Sequence, residues 1–130
     1  MPSPLDEASR EKVRANIVAA AEGYYKQLAN EGYHIPYTAE QYPWGSNSNL
    51  AKRGIFLTYA SDFSGDSKYM QTLVHAMDYL LGRNPLDQSY ISGYGSNPLK
   101  NPHHRFWAHQ ADAKSPKPAP GALSGGPNSM

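Results

Sequence analysis

Residues 89–105 read Ser-Tyr-Ile-Ser-Gly-Tyr-Gly-Ser-Asn-Pro-Leu-Lys-Asn-Pro-His-His-Arg and follow neither a helical nor a strand period. Glycines, prolines, aromatics, two histidines and an arginine in one short run mark a positioned loop rather than core filling. His103, His104 and Arg105 follow the turn Asn101-Pro102. Imidazole and guanidinium groups are rigid donors suited to sugar hydroxyls or to carboxylates. His109 lies close behind, which raises a metal reading. No carboxylate neighbours these histidines and no HExxH-type spacing completes a ligand set, so neither a metal nor any other cofactor is expected. A plainer role, in which these side chains only tie the loop together by hydrogen bonds, stays open. Trp44 sits between Pro43 and Gly45 with Tyr42 beside it. A ring so placed can stack on the apolar face of a flat ligand, although a core role competes. Phe106 and Trp107 either extend an aromatic surface or wedge the loop into the body.

Acid–base chemistry needs carboxylates, and the chain holds eleven. Asp6, Glu7, Glu11, Glu22 and Glu31 lie on or beside the polar face of the first helical segment. Asp66 is positioned to cap a helix, Asp62 falls at a helix end, and Asp78 lies beside an apolar stripe. No compact motif pairs any two of them, as glycoside hydrolysis would require. Asp87 and Asp112, in the aperiodic region, are the two worth following.

The elements that must position these groups are helical. Val13, Ile17, Ala20, Tyr24 and Leu28 recur at spacings of three and four, predicting an amphipathic helix over about 4–31. Ser3 is its candidate N-cap, Pro4 suits its first turn, and Gly32 is its candidate stop. A loop with Pro36, Pro43 and Gly45 leads to a second helix over 48–63, whose centre, Gly-Ile-Phe-Leu-Thr-Tyr-Ala, is apolar on nearly every face and expects to be surrounded. Tyr69, Met70, Leu73, Val74, Met77, Leu80 and Leu81 then set a third helix over 67–82, capped by Asp66 or Ser67 and ended by Gly82. Residues 83–130 hold seven of the eleven prolines and no sustained period. So long an irregular segment, together with an apolar-all-round helix, argues that further helices belong to the domain. The competing picture is a small three-helix protein with a disordered tail, but the aromatic content of that tail is not the composition of disorder.

Composition narrows the partners. Twelve Lys and Arg against eleven Asp and Glu leave a formal charge of +1, with no basic stripe for nucleic acid or anionic lipid. There is no cysteine, hence no disulfide, thiolate site or thiol nucleophile. No apolar run approaches the ~20 residues of a membrane span. The start, Met-Pro-Ser-Pro-Leu-Asp-Glu, lacks the basic and apolar regions of a signal peptide. Ten tyrosines and two tryptophans supply rings with polar edges beyond what a core needs.

Ser89, Ile91, Ser92, Gly95, Asn97, Pro102, His103 and Arg105 stand at the spacing of a long gapped signature. The stretch resembles the active-site histidine signature of glycoside hydrolase family 9, the inverting cellulases. Trp44-Gly45-Ser46 resembles the family's entry to an inner helix with an aromatic platform. Tyr79 to Asn84 resembles the helix end that leads into the signature. Gly121 to Asn128 resembles the Gly-Gly-Pro loop that follows it. The Phe-Trp after His-His-Arg is most like the cellobiohydrolase-type members.

This resemblance covers nearly all of residues 1–130 and implies an all-α segment of an (α/α)6 six-hairpin toroid, about a quarter to a third of the barrel. It implies a cellulose or β-1,4-glucan partner, with His103 and Arg105 hydrogen-bonding the sugars, Trp44 stacking on one, and Tyr94 and His104 on the cleft wall. A secreted location is implied as well. In the family the base comes from an Asp-Ala-Gly-Asp motif and the acid from an Asn-Glu motif beyond the Gly-Gly-Pro loop; neither occurs in this sequence. The expectation is therefore a cellulase segment that carries substrate-binding residues but not the acid–base pair. The alternative is a non-catalytic carbohydrate-binding or self-associating helical fragment.

Overall fold

The computed structural model describes residues 4–38, 40 and 42–129. Three helices lie in chain order, α1 (Glu7–Gln27), α2 (Ser46–Ser64) and α3 (Ser67–Leu81), followed by irregular chain from residue 82 onward. No strand occurs among the described residues; two isolated bridges, Ser89 with Pro98 and Ile91 with Leu123, are the nearest approach to a sheet. None of these helices is long and apolar enough to cross a membrane.

Helix α1 begins three residues later than its first proline suggests, because Asp6 is the cap. Its carboxylate accepts the Ser9 N–H at 2.7 Å, satisfying one of the open donors of the first turn. That bond also holds the Asp6 carboxyl below its ordinary range. Ser3 lies outside the described residues. Gly32 does not stop the helix. The α-helix gives way after Gln27 to a 3-10 turn, Leu28–Asn30, and the chain reverses at Tyr33 and His34, both in the left-handed region. His34 Nδ1 lies 3.2 Å from the Leu28 carbonyl, which local bonding uses to hold the reversal.

Helix α2 starts at Ser46, two residues before the sequence expectation, and runs between the other two. It buries Leu50, Gly54, Leu57 and Ala60. At Gly54 any Cβ would sit 2.9 Å from the Leu73 side chain, so the glycine lets α2 and α3 approach closely. One cluster joins Leu57 and Ala60 to Ala21 and Tyr69; another joins Leu50 to Ile35, Tyr37, Ala76, Tyr79, Leu80 and Tyr90. Arg53 ties α2 to the preceding loop. Its guanidinium lies 4.8 Å from the Tyr24 ring centre and 4.5 Å from that of Tyr37, and donates to the Pro36 carbonyl at 2.5 Å.

Two stripe assignments need correction. On α1 the buried position is Ala21, packed with Ile17, Val18 and Tyr24, while Val13 is exposed. On α3 the buried face is Tyr69, Thr72, Ala76, Tyr79 and Leu80. Met70, Val74, Met77 and Leu81 form a second, exposed apolar row, continued on α2 by exposed Ile55 and Tyr59. Periodicity shows that a stripe exists, but which half of a wide stripe is covered depends on partner helices.

Candidate functional site

The irregular region is held by backbone bonds that cross long sequence distances. Asn84 opens it: its side-chain amide donates to the carbonyls of Tyr79 and Gln88, both at 2.8 Å, and its carbonyl oxygen accepts the Leu86 N–H. Ser89 is fully buried; its N–H donates to the Asn97 carbonyl and its own carbonyl accepts from Leu99, each at 2.9 Å. Tyr90 N–H donates to the last turn of α3 at Leu80, while the Tyr90 carbonyl accepts from Ser124. Ser92 exchanges bonds with Ala122 and Gly121, and its hydroxyl donates to Ala119. The signature loop is thereby laced to both α3 and the C-terminal loop, with every buried serine satisfied.

These connections build a groove of about 490 Å³. Trp44 lines it, 77% exposed, at the turn that leads into α2. His103, His104, Trp107, Tyr90 and residues 122–127 line it as well. His104 stacks on Trp107 with ring centres 3.7 Å apart and planes 14° from parallel. The Phe106 N–H donates to His104 Nδ1 at 3.1 Å, so a neutral His104 carries its proton on Nε2. The two rings after Arg105 have different fates: Trp107 is half-buried in the groove wall, whereas Phe106 is 76% exposed. Burial pushes the Tyr90 hydroxyl above the ordinary tyrosine range, and burial with the neighbouring Tyr42 hydroxyl raises Tyr79 further. Both therefore stay neutral donors.

Of the sequence candidates, Trp44, His103 and His104 meet at this groove. Arg105 is exposed and does not line it. Tyr94 is also exposed and lies instead near Gly121, where a Cβ would be 3.9 Å from its ring. No Asp or Glu lines the groove. Asp87 is exposed at a left-handed turn where its carbonyl accepts from Asn97, and the Asp112 carboxylate accepts the Lys114 N–H as a local turn lock. Among the described residues no three His, Asp or Glu side chains are grouped as metal ligands would be. Sequence reasoning missed Tyr90 and Leu123, whose only signal was an apolar position inside an aperiodic run. The arrangement offers aromatic faces and neutral donors, the chemistry of holding a polar, flat-faced ligand.

The family described as Glycosyl hydrolase family 9 matches residues 4–130. The chain belongs to that family. Within glycosyl hydrolase family 9, it is 48% identical over 124 residues to a cellulose 1,4-beta-cellobiosidase of Acetivibrio thermocellus, covering 92% of this chain and 14% of that protein. It is 38% identical over 120 residues to endoglucanase C of Cellulomonas fimi, covering 91% of this chain and 11% of that protein. The crystal structure of a metagenome-derived family 9 endoglucanase superposes with a TM-score of 0.85 at 34% identity, covering all of this chain and 23% of that one. The chain is thus an all-α segment of the (α/α)6 toroid, and it spans about a seventh of the cellobiosidase that it matches.

Proposed function

We propose that this segment forms the substrate-gripping edge of a cellulase cleft that takes β-1,4-glucan chains and serves their hydrolysis with inversion. In this reading Trp44 stacks on a glucosyl ring, His103 hydrogen-bonds neighbouring hydroxyls and His104 bounds the groove, while Arg105 and Tyr94, which lie outside that lining, meet the glucan farther along the cleft. The acid and base carboxylates come from parts of the domain outside this sequence. The observation that carries the reading is the groove itself: an exposed indole and two imidazoles share one lining, with no carboxylate among the described residues that form it. Such a groove supplies stacking and orientation but neither proton transfer nor water activation, each worth ~10²–10⁴-fold. Because cellulose is insoluble and lies outside cells, the same reading carries a secreted location.

The experiment is retention of the 130-residue chain on microcrystalline cellulose, with reducing sugar measured in the supernatant. Retention without product is expected, and Trp44→Ala should abolish it. Hydrolysis of soluble β-glucan that disappears on changing Asp87 or Asp112 would overturn the assignment of the carboxylates. A second reading, self-association, is favoured by the exposed row Met70, Val74, Met77 and Leu81 with Ile55 and Tyr59. When the chain stands alone, a second copy is the occupant we assign to that face.

A further inference from the structure

Helix α2 has no side chain capping its first turn. Open N–H groups at a helix start need partners; those of Ser48 and Asn49 bond to the Gly45 carbonyl, and that of Asn47 to a chain segment nearly eighty residues away. The Asn47 N–H donates to the Gly125 carbonyl at 3.1 Å. The Asn47 side-chain amide donates to the Ser124 carbonyl at 3.2 Å, and the Ser46 hydroxyl to the Pro127 carbonyl at 2.6 Å. Ser46 and Asn47 are almost wholly buried. Gly126 presses against them at φ +89, and a Cβ there would fall 2.5 Å from Asn47 Cγ and 2.7 Å from Ser46 Oγ. Trp44 precedes this junction by two residues, and residues 124–127 line the same groove as Trp44.

We propose that Ser46 and Asn47 are positioning residues that bolt the Trp44 platform to the 124–127 wall and so set the groove's grip on a glucan chain. The proposal rests on the groove reading above. Neither side chain lines the groove, so each acts through what it holds. A buried polar pair fits this task better than an apolar one. Its bonds are directional, they fix register as well as distance, and they leave costly unsatisfied carbonyls if the wall shifts. Gly126 serves the same end sterically, since only a residue without Cβ allows the wall to close on Asn47.

The test is titration of the full 130-residue chain with cellotetraose, followed by calorimetry, with helix content from circular dichroism measured in parallel. Ser46→Ala and Asn47→Asp should retain helix content but weaken binding about ten-fold or more. Asn47→Asp keeps the shape of the side chain while turning its two donors into acceptors that face the Ser124 carbonyl. Ser46→Thr keeps the hydroxyl while adding a methyl to a crowded junction, and should still bind more tightly than Ser46→Ala, a rescue that mere loss of packing would not give. If Asn47→Asp does not fold, Gly126→Ala prises the same junction from the opposite side and should weaken binding likewise. Latch variants that bind as tightly as the parent, while Trp44→Ala does not bind, would overturn the latch and leave the groove reading intact. A parent chain that fails to bind cellotetraose removes the groove reading, and the latch with it.

Discussion

Gly95 is a position in the 89–105 loop where a side chain has no room. It has φ +85, and a Cβ there would lie 2.8 Å from the Leu81 carbonyl oxygen and 2.9 Å from Ser89 Cβ. Leu81 closes α3 and Ser89 is fully buried, so neither neighbour is the free end of a flexible side chain. For Gly95→Ala the left-handed backbone costs ~1–2 kcal/mol and the overpacking a further ~1–3 kcal/mol. With a mid-range urea slope of ~2 kcal/mol per molar, that combined ~2–5 kcal/mol should lower the unfolding midpoint by about 1–2.5 M. Gly23→Ala is the internal control. Gly23 lies inside α1, and a Cβ there meets nothing within 4 Å, so the substitution should raise stability by ~0.4–1 kcal/mol. Both variants are to be compared with the parent at one protein concentration, because association would shift the midpoints. A Gly95→Ala midpoint within about 0.3 M of the parent would refute the reasoning, since it would mean that the α3 end and Ser89 are not held against this turn.

Other outcomes follow from charge and exposure. Glu22 accepts from the Tyr69 hydroxyl and pairs with Lys68 at 2.9 Å, which holds its carboxyl below the ordinary 4.5. A depressed carboxyl stabilises above its unfolded value and loses that contribution as pH falls through its folded value. The melting temperature should therefore drop below about pH 4.5, and the gap between parent and Glu22→Gln, clear at pH 7, should narrow as the pH falls further into acid. Lys68 is raised by the same pairing, so its contribution persists through neutral pH and is lost only in strong alkali. Size-exclusion chromatography with light scattering should find a dimer or larger species for the parent. Val74→Glu, at a position 52% exposed in the apolar row, should shift it toward monomer without loss of helix content. A monomeric parent would sink the self-association reading. Trp44→Ala should leave the melting temperature within about 1 °C, because the ring covers little of the core.

Local chemistry alone made the helices legible. Asp66 caps α3 as its position implies, with its carboxylate accepting the Lys68 N–H, and the Gly65 and Gly82 ends fall where turn residues stand. Propensity, capping and spacing act within a few residues, so they can be read without knowing the fold. The start of α1 was less legible because Ser3 and Asp6 are both residue types that cap helices, and Asp6 is the one that does. The signature around His103 was legible as a pattern of residue types at fixed intervals, and that pattern pointed to the family to which the chain belongs.

Tertiary structure decided three further matters. It chose which half of each apolar stripe is covered, burying Ala76 and Tyr79 while leaving Val74 and Met77 open, because burial depends on neighbouring helices and not on period. It separated Trp107, stacked on His104, from the exposed Phe106 beside it, a choice made by one backbone N–H bonding to an imidazole. Above all, it joined Ser46 and Asn47 to residues 124–127 and brought Trp44, His103 and His104 onto the lining of one groove. Bonds from side chains to distant loop carbonyls leave no periodic trace in a sequence. They form only once the intervening helices have brought both segments to the same end of the fold.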